Sequence, residues 1–110
     1  MALNDRAFRR IEKLFMSKVV EGGRGLSKTQ ARGKAFKDAV HRINKARGSL
    51  KNRQVDAFVR ELEQAKMFVV RGLDDGSRSE LRDVPAIQSA VNKMVDGISA
   101  IEGLIRAARR

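Results

Sequence analysis

Seven apolar residues near the C-terminus, Ile87, Val91, Met94, Ile98, Ile101, Ile105 and Ala108, follow one another at alternating steps of four and three. Only a helix places residues so spaced along one side. A repeat averaging 3.5 residues suits the left-handed packing of bundles. Asp83 stands where a capping residue belongs, and Pro85 falls in the first turn, where a missing N–H does no harm. About 25 helical residues at ~1.5 Å each make a rod of roughly 38 Å. A rod with one apolar stripe must bury that stripe against other helices.

The rest of the chain supplies them. Pro85 is its only proline. Phe8, Ile11, Phe15 and Val19 mark a first amphipathic helix over about 5–20, which Gly22, Gly23 and Gly25 are expected to stop. Phe36, Ala39, Val40, Ile43 and Ala46 mark a second over about 28–47. Ser27 and Gln30 would cap it, Leu26 would staple onto Ala31, and Gly48 would end it. Val55, Phe58, Leu62, Ala65 and Val69 mark a third over about 52–71, closed by Gly72 and followed by an Asp74-Asp75-Gly76-Ser77 loop. The fourth spans about 84–109, and a short extra helix is expected near 78–82. The expected fold is all-α: one domain over 1–110, a four-helix up-down bundle.

Charge is divided along this chain. Residues 1–53 hold fifteen Lys or Arg against four acids, the whole of the +11 net charge; residues 54–110 hold nine of each sign. A one-sided basic field attracts a polyanion. On the first helix Arg6, Arg9, Arg10 and Lys13 lie opposite the Phe8/Phe15 face. On the second Lys34, Lys37, His41 and Lys45 lie opposite Phe36/Val40/Ile43, with Arg42 nearby; Arg24 and Lys28 join the two stripes. These eleven residues are the expected nucleic-acid contacts. Trp and Tyr are absent, and the five Phe fall mostly on apolar faces. Contacts are therefore expected to go to phosphates, which position nucleic acid without reading its sequence.

Other chemistry finds little support. Gly22-Gly23-Arg24-Gly25-Leu26-Ser27-Lys28-Thr29 is a poor P-loop, with Ser27 where glycine is required and a helix rather than a strand before it. The same segment could seat one phosphate of a nucleic acid at a helix start. There is one His and no Cys, so no metal site, disulfide or cofactor is expected. No nucleophile–base pair stands out, so the chain is read as no enzyme and without a small-molecule substrate. No apolar run approaches the roughly 20 residues of a membrane span, and Met-Ala-Leu-Asn-Asp-Arg at the start lacks a signal peptide's apolar core. A cytoplasmic protein without membrane association is expected. A turn at Gly48 between two helices allows a helix-turn-helix alternative, with Asn52, Arg53 and Gln54 reading bases, as in plasmid or phage DNA-binding accessory proteins. An adaptor docking an acidic protein is a further alternative.

A small, basic, all-helical chain with this charge asymmetry resembles the small subunits of CRISPR ribonucleoprotein effector complexes. The resemblance covers the whole chain as size, helix content and charge. It implies a helical bundle that stacks beside copies of itself and other subunits along a guide–target path, with a role in antiviral defence. It further implies backbone contacts from Lys34, Lys37, Arg42 and Lys45, and a second set from the Arg6–Lys13 stripe.

Overall fold

Four helices account for nearly all of the computed structural model, which describes residues 3–28, 34–77 and 84–109. Helix α1 covers 5–28, α2 Lys34–Lys51, α3 Val55–Ser77 and α4 Val84–Ala108. They run up, down, up and down. The molecule measures 46 × 21 × 19 Å, close to one helix length by two helix diameters. α2 and α3 form an antiparallel hairpin packed along its length, and α1 lies antiparallel to α4. The four helices enclose one core.

The expected apolar stripes supply it. Ile87, Val91, Met94, Ile98, Ile101 and Ile105 of α4 are buried, as are Phe8, Ile11, Phe15 and Val19 of α1. Phe36, Ala39, Ile43 and Ala46 of α2 meet Phe58, Leu62, Ala65 and Val69 of α3. Phe15 and Phe58 pack edge to face, ring centres 5.3 Å apart, joining α1 to the first turn of α3.

Helix ends depart from expectation at three places. The glycines at 22, 23 and 25 do not stop α1. It starts at the Asn4 cap, whose Oδ1 accepts the Ala7 N–H at 2.8 Å, and runs as Asp5–Leu14, a π-helical stretch Phe15–Val20, then Glu21–Lys28. Ser27 is therefore no N-cap: its hydroxyl donates back to the Gly23 carbonyl at 3.0 Å inside the helix. Gln30 and Ala31, which completed the expected cap, lie outside the described residues. At Gly22 close packing requires a glycine. A Cβ at Gly22 would sit 3.0 Å from the Ala90 carbonyl oxygen and against the Met94 side chain, and one at Gly97 would sit 2.5 Å from the Lys18 Cβ. Glycine's entropic penalty in a helix is outweighed here by the close approach of α1 to α4.

Nor does Gly48 end α2, which continues to Lys51. The stop is Arg53, in the left-handed region at φ 55°. The Arg53 N–H donates to the Leu50 carbonyl at 3.0 Å and the Gln54 N–H to the Ser49 carbonyl at 2.8 Å, a Schellman closure with arginine in the usual glycine place. The strain, ~1–2 kcal/mol for a non-glycine residue, is offset by the side chain. Its guanidinium lies 4.4 Å from the Phe8 ring centre and bonds Asp5 Oδ1 at 3.2 Å, fastening the hairpin turn to the start of α1.

Finally, α3 passes Gly72 and runs through Ser77, so residues 74–77 are its last turn and not a loop. Gly72 instead faces the Phe36 ring, 2.6 Å from where its Cβ would stand. The short helix expected near 78–82 and the Asp83 cap lie outside the described residues.

Candidate nucleic-acid interface

α1 leans on α4 with one flank and leaves the other open toward α2. Few residues bridge α1 and α2, and a groove of about 320 Å³ runs between the Glu21–Lys28 segment and the middle of α2. Its floor is apolar: Val20 and Gly23 from α1, Val40 and Ile43 from α2. Its rim is polar and cationic, with Arg24, Ser27 and Lys28 on one side and Asn44 and Arg47 on the other.

The π-helical stretch shapes this arrangement. It widens the helix by one residue and shifts the buried face, so two neighbouring pairs are buried, Val19 with Val20 and Gly22 with Gly23. In the second pair Gly22 faces α4 and Gly23 faces α2. A Cβ on Gly23 would meet nothing closer than the Ile43 Cδ1, at 3.5 Å. The absence of a side chain there deepens the groove.

Of the fifteen basic residues in 1–53, Arg32 lies outside the described residues. Of the remaining fourteen, only Arg24, Arg42 and Arg53 form ion pairs among the described residues. Arg6, Arg9, Arg10 and Lys13 are exposed together on the first segment of α1. Lys28, Lys34, Lys37, His41 and Lys45 are exposed as well. At 100° per residue, Lys37, His41 and Lys45 turn outward beside Asn44. Arg24 bonds Glu21 at 3.1 Å, but both side chains are about half exposed, and such a pair contributes little.

Arg42 stands apart from the other expected contacts. It points to the opposite flank of α2 and bonds Glu61 of α3 at 3.2 Å, with side chains only 30% and 20% exposed. It serves the hairpin. Conversely, Arg47 and Asn44 belong to the groove and were not among the expected contacts. Their signal was present in the spacing Val40, Ile43, Asn44, Arg47, a stripe that begins apolar and turns polar.

The P-loop-like segment has no loop geometry. Residues 22–28 are helix, so no helix start exists there to hold a phosphate. Among the described residues no group of His, Cys, Asp or Glu could hold a metal ion, and no helix is long and apolar enough to cross a membrane.

At the end of the bundle away from the groove two cations have carboxylate partners, Arg53 with Asp5 and Arg109 with Asp56, while Arg6, Arg9, Arg10 and Lys13 stay exposed there. Asp56, in the first turn of α3, accepts a 2.7 Å bond from Arg109 at the end of α4. That hydrogen bond and the guanidinium charge hold the Asp56 carboxyl below the usual range. Comparison with family models, curated proteins and solved structures finds no match for this chain or its fold.

Proposed function

We propose that the protein is a non-catalytic nucleic-acid-binding subunit that holds the phosphate backbone along the α1–α2 side of its bundle. The observation carrying this is that the +11 excess of residues 1–53 stays largely exposed and free of carboxylate partners among the described residues. A solvated helix face ordinarily interleaves acids for i,i+4 pairing; 28–53 has nine basic residues against Asp38 alone. The groove rim adds Arg47 to Arg24 and Lys28, and guanidinium groups fork onto phosphate oxygens well. In this reading the protein acts in the cytoplasm as the small subunit of a larger ribonucleoprotein assembly, such as a CRISPR effector complex, beside other subunits and copies of itself.

The helix-turn-helix alternative is less well supported. α2 and α3 pack lengthwise instead of crossing steeply, and Arg53, one of its three base readers, closes the end of α2 in the left-handed region with its guanidinium over the Phe8 ring.

Salt-dependent binding tests the proposal. If about five phosphates are contacted, affinity for a nucleic acid of arbitrary sequence falls two to three decades between 50 and 200 mM salt. Arg24→Glu with Lys28→Glu and Arg47→Glu is expected to weaken all sequences alike by at least about tenfold and to flatten the slope. A flat salt response in the unaltered protein, or no shift of RNA or DNA at low salt, would refute it and favour the adaptor that docks an acidic protein.

A further inference from the structure

We infer that the α1–α2 groove takes one unpaired nucleotide, its base on the apolar floor and its phosphates on the rim, so that the preferred ligand is single-stranded. This rests on the proposed nucleic-acid function and adds to it the strand state and the point of entry. A surface that only collects phosphates needs no hollow; exposed cations on a flat helix face suffice. Here the cations frame a depression whose floor is Val20, Val40 and Ile43, opened by the missing side chain at Gly23. Its 320 Å³ is near the lower end of small-ligand sites, about 300–1,000 Å³. That suits one base with its sugar, not a duplex, whose bases are stacked and paired inside.

The polar groups are placed to match. Asn44 offers a carbonyl and an amide, which can meet a donor and an acceptor on a base edge. Arg24 and Lys28 on one rim and Arg47 on the other leave a strand running across the groove with cations on both sides. The carboxylate of Glu21 already holds Arg24 at 3.1 Å, so an entering phosphate must compete for that guanidinium; the pair's exposure makes the exchange easy. No aromatic ring is required, because aliphatic side chains can cover the face of a base. The same surface would tolerate many sequences.

The test compares three polymers of equal phosphate count with the wild-type protein at one salt concentration: a single strand, a duplex of half its length, and a sugar-phosphate strand lacking bases. The single strand is expected to bind at least about tenfold more tightly than the baseless strand, a difference of ~1.4 kcal/mol, and more tightly than the duplex. It alone is expected to shift the methyl resonances of Val20, Val40 and Ile43. Gly23→Leu fills the floor without changing charge. It is expected to remove the preference for bases while keeping the salt slope, and the wild-type comparison stands whether or not this variant folds. Equal affinity for the base-bearing and baseless strands, or tightest binding of the duplex, overturns the inference and leaves backbone binding intact. Failure to bind any of the three at low salt overturns both.

Discussion

The two flanks of α1 use neighbouring glycines for opposite ends. On the α4 flank, Gly22 and Gly97 remove side chains so that two backbones close on each other and exclude everything else. On the α2 flank, one residue further along, Gly23 removes a side chain and the space stays open, framed by Arg24, Lys28 and Arg47. A glycine in a helix is thus not one signal but at least two. What decides is whether the facing helix offers backbone or the far end of a side chain.

That contrast can be broken most forcefully at Gly22. Gly22→Ala would press a methyl group against the Ala90 carbonyl and the α4 backbone, which cannot yield as a side-chain tip can. A loss of about 2–3 kcal/mol is expected, read as a fall in the midpoint of denaturant unfolding. Gly48→Ala is the control on neither flank: the site is exposed, has nothing within 4 Å and lies inside α2. A gain of about 0.5–1 kcal/mol is expected from helix propensity alone. Gly23→Ala is the sharpest comparison, since its Cβ would meet Ile43 at ordinary contact distance. Neutral or slightly increased stability is expected, opposite in sign to its neighbour. Equal losses at 22 and 23 would show that both flanks are closed.

A small effect is expected at the exposed Asp56–Arg109 pair, at the end of the bundle away from the groove. The Asp56 carboxyl is depressed chiefly by the hydrogen bond from Arg109 and then by its charge. The depressed value belongs to the folded state, so the pair stabilises the protein above the unfolded carboxyl's titration. That contribution is lost as pH falls through the folded value. Asp56→Asn is expected to lower stability slightly at neutral pH and to leave it unchanged in strong acid, as followed by thermal melting across pH. Of the groove cations only Arg24 has a carboxylate partner, the exposed Glu21, and their reversal is expected to change nucleic-acid affinity far more than stability.

Much of this was legible in the residues. The heptad from Ile87 to Ile105 is buried throughout, because a 25-residue stripe leaves one packing solution. The stripes through Phe8, Phe36 and Phe58 were equally plain. What misled was local punctuation. The glycines at 22 and 23 read as a stop because propensity counts only the cost within their own helix, while the return at Gly22 comes from α4, distant in sequence. Gly48 read as a terminator, yet the left-handed residue is Arg53, which is held there by Asp5 and Phe8, partners over forty residues away. For the same reason the exposed cations were visible in composition and periodicity, while the groove was not. Arg47 and Asn44 acquire meaning only once α1 lies across from them.

The π-helical stretch at Phe15–Val20 has one more consequence. It holds, in effect, a spare residue: removing one there lets the backbone tighten into ordinary α-helix while both halves of α1 keep their orientation. Removing a residue at the same depth in α4 would turn everything beyond it by about 100° and swing half of an isoleucine seam into water. Among the described residues, the first helix is where this bundle can tolerate a change of length.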